Sequence, residues 1–351
     1  MRQSSSIADA ERRGRGDTEN AHPRQVSASP CLRVLLLFLV VGRTTTAADD
    51  DFPAELTHFV AAQGNPIFTG AGPGSWDVKI RERGWILRED DSWHLWYTGY
   101  DGSPDGIRLL GYAKSSDGRT WTRHPNNPLI RDHWVEDMMV VKYDDTYFMF
   151  AEGVNDHAQL LTSTDRMNWT RRGTLDIRQQ HGQPLSDGPF GTPTAWREND
   201  TWYLFYERRD AGVWLAWSKD LKVWTNVQDD PVIVPGPDDH DKLMIALNQI
   251  VKHRGRYFAV LHGTGDIDKP RQWSTSLATS PDLIHWKKYP GNPLVRENKS
   301  SGLLVPDGTS FRLYSMHERV DLHLPTGGKS QTPSSKSQTN PKTKIQNPKS
   351  P

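Results

Sequence analysis

The chain has almost no cysteine. Cys31 is the single one in 351 residues, which leaves neither a disulfide framework nor a Cys-based zinc site to hold a fold together. Long apolar runs are missing too. The mean hydropathy is −0.71, and nothing approaches the roughly 20 apolar residues that a membrane helix needs. A multi-span membrane protein and stable membrane insertion are thereby excluded. Net charge is also absent, since 43 Lys and Arg balance 43 Asp and Glu. That zero conceals three unlike regions. Residues 1–48 are Arg-rich, residues 326–351 carry Lys and no acid, and residues 49–325 hold 31 basic against 39 acidic groups, a net of −8. An acidic globular part argues against a nucleic-acid partner, whose phosphates require a positive face.

The two ends do not read as fold. Val34 to Val41 is an apolar run behind Arg33, followed by Thr44-Thr-Thr-Ala-Ala48. Residues 1–48 therefore read as an N-terminal arm ending in the apolar core and small-residue cleavage zone of a signal peptide. That predicts an exported protein, periplasmic or extracellular. Residues 326–351 are rich in Lys, Ser and Pro, with Ile345 as the one large aliphatic, and are expected to be disordered.

What the chain has in excess is tryptophan, 14 residues between Trp76 and Trp286. An internal repeat organises them. Five segments combine a turn residue with an alternating, aromatic-rich strand. They begin at Asp91, Asp145, Asp200, Gly255 and Thr309, separated by 54, 55, 55 and 54 residues. Between them recurs an Asp followed four residues later by Trp: Asp117 and Trp121, Asp165 and Trp169, Asp220 and Trp224, Asp282 and Trp286. Each repeat reads as about four short strands bounded by Asp, Gly, Asn and Pro turns. The last repeat lacks its outer strand, while an unmatched one precedes the first, at Phe59 before Asn65-Pro66-Ile67. Pairing both ends in one sheet closes a ring and removes exposed edges. The expectation is all-β: a five-bladed β-propeller over residues 52–325, with the N-terminal strand closing the last blade and one chain, a monomer, completing the ring.

The period exceeds that of WD40 and kelch repeats, and no repeat carries their signatures. Five blades of this length with the recurring Asp-x-x-x-Trp element resemble the five-bladed propeller glycosidases, among them glycoside hydrolase families 43, 32, 117 and 130. The resemblance covers residues 57–325. It implies a carbohydrate substrate and inverting hydrolysis by paired carboxylates. It requires no cofactor and allows a structural or central calcium ion.

Candidate site residues follow from two kinds of position that open on one face: the start of an inner strand and the end of the strand beside it. The first kind gives Trp76-Asp77, Trp134 with Glu136-Asp137, and Asp187; the second gives Glu152, Glu207, His262 and His317. Hydrolysis of a glycoside needs one protonated and one ionised carboxyl, and crowded carboxylates push each other's pKa values apart. By the resemblance Asp77 matches the base and Asp137 the orienting acid of the second blade. The third match fails at Thr192, so the proton donor is Glu207 or Asp187. Trp76 and Trp134 are candidate sugar platforms. Glu136, Glu152, Arg208, His262 and His317 are candidate substrate contacts. Asp117, Asp165, Asp220 and Asp282 are read as turn formers, and their partner tryptophans as packing. Two alternatives stay open: a glycoside phosphorylase, with Arg81, Arg83 and Arg208 available to phosphate, and a non-catalytic glycan-binding propeller.

Overall fold

The computed structural model describes residues 51–185, 188–268 and 270–326. The predicted signal segment, the Lys-rich end and Asp187 lie outside the described residues. Apart from the helix Ala54–Thr57 and a 3-10 turn at Val154–Asp156, the described residues form strands, turns and loops. No described helix is long and apolar enough to cross a membrane.

The strands form five sheets. Their first strands are Trp85–Glu89, Glu136–Tyr143, Gly191–Glu198, Met244–His253 and Leu303–Asp307. Each of these contacts its two neighbours, so they close a ring around one axis. The second strands, Ser92–Tyr100, Thr146–Glu152, Thr201–Glu207, Arg256–Thr264 and Ser310–Met316, begin at or within a residue of the repeat starts read from the sequence. The fold is the expected five-bladed β-propeller. Its hairpins turn through paired left-handed residues, Asp90-Asp91, Asn199-Asp200 and Arg254-Gly255, the backbone that matches strand twist in a two-residue connection. Closure is also as expected. Phe59–Ala61 pairs antiparallel with Val320–Pro325, with Val60 opposite Leu324. The Asn65 side chain fastens this seam, donating to Leu322 O at 2.9 Å and accepting from Leu322 N at 2.8 Å.

The Asp-to-Trp element joins one blade to the blade before it. Ser115, Ser163, Ser218 and Ser280 each donate to the Asp two residues on, and that carboxylate receives the next backbone amides. The turn thereby delivers its Trp to the preceding sheet. Trp169 meets Trp96 edge-on at 6.2 Å, Trp224 meets Phe150 at 5.9 Å and Trp286 meets Phe205 at 6.1 Å. Between the last and first blades, Tyr314 donates to Gly118 O at 3.0 Å. Wedge-shaped gaps between flat sheets need wide rigid side chains, and aromatic pairs in this geometry add to the burial of their area.

Candidate active site

Near the start of three of the first strands the ladder is irregular. Bulges fall between Glu136 and Met139, Gly191 and Thr194, and Leu247 and Gln249. Arg83, Asp137, Thr192 and Ser301 take left-handed φ values of 45°, 46°, 47° and 52°. These are corresponding positions of four blades, and Asn248 is the bulged residue of the remaining one. A bulge re-aims side chains, and here it turns them toward the axis.

Blade one therefore does not present Asp77 there. The ring position is Glu82-Arg83, and the extra strand Lys79–Ile80, paired with Gly99 and Tyr100, separates it from Trp76-Asp77. Asp77 is fully buried, its carboxylate bound by Arg123 Nε at 2.8 Å, by the Tyr97 hydroxyl at 2.9 Å and by Ser75 Oγ. None of these partners lies on a first strand. Blade four repeats the arrangement. Lys288 reaches Asp241 Oδ2 at 2.5 Å, and a methyl on Gly99 or Gly263 would strike Asp77 Cβ or Asp241 Cβ, each at 2.7 Å. Asp77 is thus one copy of a repeated clamp on the outer strand, which corrects its reading as a mouth residue and base. Trp76 beside it stacks on Tyr97 at 5.9 Å and covers Gly99, so at least part of its surface is packing.

The mouth gathers most of the other expected residues. Trp134 donates through Nε1 to Glu136 Oε2 at 2.9 Å, and Arg108 lies 5.1 Å from its ring centroid. Arg81 Nε donates to Glu136 Oε1 at 2.5 Å. Asp137 and Glu152 are buried, and Asp137 Oδ1 has no hydrogen-bond partner among the described residues. Burial, and then the charges of Glu82 and Glu136, hold the Asp137 carboxyl well above the usual range. Burial and the Asp137 charge do the same to Glu152, whose Oε1 accepts from Thr192 N at 2.5 Å. Glu207 is pushed up to about 8 by burial and by Asp210, and its Oε2 accepts from the Asp210 amide. Glu152 and Glu207 converge on Gly191. An added methyl would meet Glu207 Oε1 at 2.0 Å and Glu152 Oε1 at 2.8 Å, so those oxygens are no further apart than the sum of the two distances.

His262 Nδ1 lies 2.8 Å from Asn248 Oδ1, and Trp273 stands edge-on to its ring at 5.2 Å. His317 Nδ1 lies 2.8 Å from Glu82 Oε2 and 2.9 Å from Ser300 Oγ. Arg208 lies 5.7 Å from the Phe190 centroid and 6.0 Å from that of Trp214. Among the described residues no group of three or more His, Cys, Asp or Glu is arranged to hold a metal ion.

Glu82 is the residue that position-by-position reading missed. Burial raises its carboxyl, but the His317 hydrogen bond and the Arg81 charge prevail and hold it at about 2. It stands 54 residues before Glu136, the interval that separates Asp91 from Asp145, so the repeat itself pointed to it. Asp156 and Asp210, beside Glu207, lie in connections that no strand pattern singles out. Arg83 is also corrected as a phosphate candidate. It is fully buried and bound to backbone beneath the mouth.

The fold is the five-bladed propeller found in glycosidases and glycoside phosphorylases. No protein-family model matches the chain. It is 24% identical over 220 residues, 57% of this chain and 70% of the relative, to a 1,2-beta-oligomannan phosphorylase of Thermoanaerobacter sp.. The structure of a glycosyl hydrolase from Bacteroides ovatus superposes with a TM-score of 0.63 at 14% identity, covering 78% of this chain and 94% of the other. The β-1,2-mannobiose phosphorylase of Listeria innocua, bound to β-1,2-mannobiose, gives 0.60 at 13% identity, covering 76% and 96%.

Proposed function

We propose that the chain is a glycoside hydrolase that binds an oligo- or polysaccharide across this mouth and cleaves it with Asp137 as proton donor. The observation that carries the reading is the contrast between two carboxyls at one mouth: Asp137 is buried with Oδ1 unpartnered, which pushes its carboxyl up, whereas Glu82 is paired with His317 at 2.8 Å and Arg81 at 3.0 Å, which hold its carboxyl down. Glycosidic cleavage needs that division of labour. Asp137 is preferred to Glu207 because its Oδ1 is unpartnered, whereas Glu207 turns to the Asp210 amide. In the reaction Asp137 passes its proton to the leaving oxygen as the glycosidic bond breaks. Water attacks the anomeric carbon and yields its proton to Glu82. Trp134, fixed by Glu136 and Arg108, offers an aromatic wall to the sugar. Export through the N-terminal segment would bring such an enzyme to extracellular glycans.

The test is release of reducing sugar from a glycan panel beginning with β-1,2-mannobiose, with and without inorganic phosphate. The expected result is phosphate-independent release, lost in Asp137→Asn and Glu82→Gln, with proton NMR of the first-formed anomer reading inversion. Binding without release from any glycan would replace this reading with a glycan-binding propeller. A phosphorylase is the second reading. It is favoured by the relatives that carry that name and by Arg81 and His317 at the same mouth. Strict dependence on phosphate would establish it over hydrolysis.

A further inference from the structure

Beneath the mouth one side chain ties four blades together. The Arg83 guanidinium donates to Asp137 O, to Pro193 O at 3.0 Å, to Thr194 Oγ1 at 2.5 Å and to Asn248 O at 3.2 Å. Its own amide donates to Met316 O of the fifth blade at 2.9 Å. A buried cation that meets backbone oxygens from three blades fixes their relative positions, because each lost bond would strand a buried group.

The acceptors are themselves placed at the site. Asp137 and Asn248 are the bulged residues of their blades. Asn248 orients His262 through Oδ1, and Pro193 follows Thr192, whose amide binds Glu152. Asp137 sits in the left-handed region at φ 46°, where a residue other than Gly persists only when its surroundings hold it. Resting on the reading of Asp137 as proton donor, we infer that Arg83 is a positioning residue. It fixes the backbone of Asp137 from below so that the carboxyl is aimed at the bound glycoside, and it sets the charge that carboxyl feels. Burial lowers the Arg83 pKa to about 10 against the opposing pull of Asp137 and Glu152, which leaves it cationic at neutral pH.

The experiment compares Arg83→Lys, Arg83→Met and Thr194→Val with the wild-type chain. Asp137 is followed by carboxyl-carbon NMR titration, assigned with Asp137→Asn, and kcat and KM are measured separately. A misaimed group lowers kcat by about a hundredfold without a matching rise in KM, and this is expected for Arg83→Met. Loss of the charge should also move the Asp137 titration upward by about one pH unit. Arg83→Lys should leave that titration in place. Thr194→Val removes one acceptor of Arg83, together with the hydroxyl's own donation to Leu247 O and Asn248 O, and keeps the charge, so it answers should Arg83→Met fail to fold. It should lower kcat several-fold with KM and the titration unchanged. An unmoved titration in Arg83→Met, or wild-type kcat in Thr194→Val, would overturn the role. The NMR shift does not depend on turnover. A shifted titration in a chain that cleaves no glycan would sink the functional reading and leave Arg83 as the residue that tunes Asp137.

Discussion

Arg123 holds Asp77 through a 2.8 Å bond from Nε to Oδ2, and with Tyr97 and Ser75 it leaves that carboxylate no open face. A base must reach a water beside the substrate, and this one reaches only its clamp. Asp77→Asn is therefore expected to lower stability by about 1–3 kcal/mol, since it strands a hydrogen-bonded partner. Arg123 keeps a third of its side chain in solvent (32%), which holds the loss to the lower part of that range. The folded fraction should keep its kcat. Chemical denaturation with turnover measured at matched folded fraction checks this. An inactive variant of wild-type stability would return Asp77 to the chemistry.

Acidity should stabilise the fold over a defined window. The Glu207 carboxyl is raised from 4.5 to about 8, so the folded chain binds its proton more tightly than the unfolded chain does. The stability from that proton is full below about 4.5 and is lost as pH rises through about 8. Glu82 works in the other direction. Held at about 2, it contributes stability above 4.5 that is lost as pH falls through about 2. The Tm of the wild-type chain should fall between pH 5 and pH 8, and in Glu207→Gln that fall should be shallower. A scan of Tm against pH at constant ionic strength reads it. Equal slopes in both proteins would show that Glu207 titrates normally.

The seam that closes the last blade combines backbone bonds with one side chain. Asn65 satisfies both the amide and the carbonyl of Leu322. Asn127 does the same for Tyr112, and Asn292 for Leu277. Asn65→Ala strands the Leu322 amide, while the Leu322 carbonyl keeps the Ala62 amide at 2.9 Å, an expected loss of about 1–3 kcal/mol where the strand Phe59–Ala61 joins the last blade. Asn127→Ala is the comparison within a continuous blade. Because Asn65 secures the closing strand, its loss should also open residues 59–61 to amide exchange earlier than the rest of the sheet. Exchange mapped by mass spectrometry tests this, and uniform protection would contradict it.

Blade number, closure and the inter-blade tryptophans were legible because each recurs at the repeat interval. The site was legible only in part, for the same reason turned around. Asp77 stands before the first inner strand, the kind of position that marked it as a candidate, but the repeat interval leads from Glu136 back to Glu82. The extra strand at Lys79–Ile80 displaced the motif from the axis. Asp241, three repeats beyond Asp77, shows that the repeat marked Asp77 as structural. Asp210 and Asp156 could not be read, because they lie in irregular connections whose course depends on neighbouring blades. That Arg83 faces inward also depends on tertiary context. A lone Arg near a strand start is ordinarily solvent-exposed, and only its left-handed backbone and the oxygens of three other blades turn it to the axis.

Gly191 is the smallest residue at the mouth and separates Glu152 from Glu207. A methyl there would lie 2.0 Å from Glu207 Oε1 and 2.8 Å from Glu152 Oε1, below any distance that packed atoms tolerate. Gly191 lies outside the left-handed region, so its replacement acts by space and not by backbone strain. Glu152 is tethered through the Thr192 amide at 2.5 Å. Glu207 is bound to the Asp210 amide in the connection that follows its strand, and it is the carboxyl expected to move. Gly191→Ala should therefore push Glu207 outward toward solvent, which weakens the burial that raises its pKa. The Glu207 titration, followed by carboxyl-carbon NMR, should move down from about 8, and kcat should fall by about a hundredfold through loss of alignment at the mouth. Gly191→Ser should behave alike, since the added Cβ is the same. A Glu207 titration unchanged in both variants would mean that the two carboxyls do not compete for the space above Gly191.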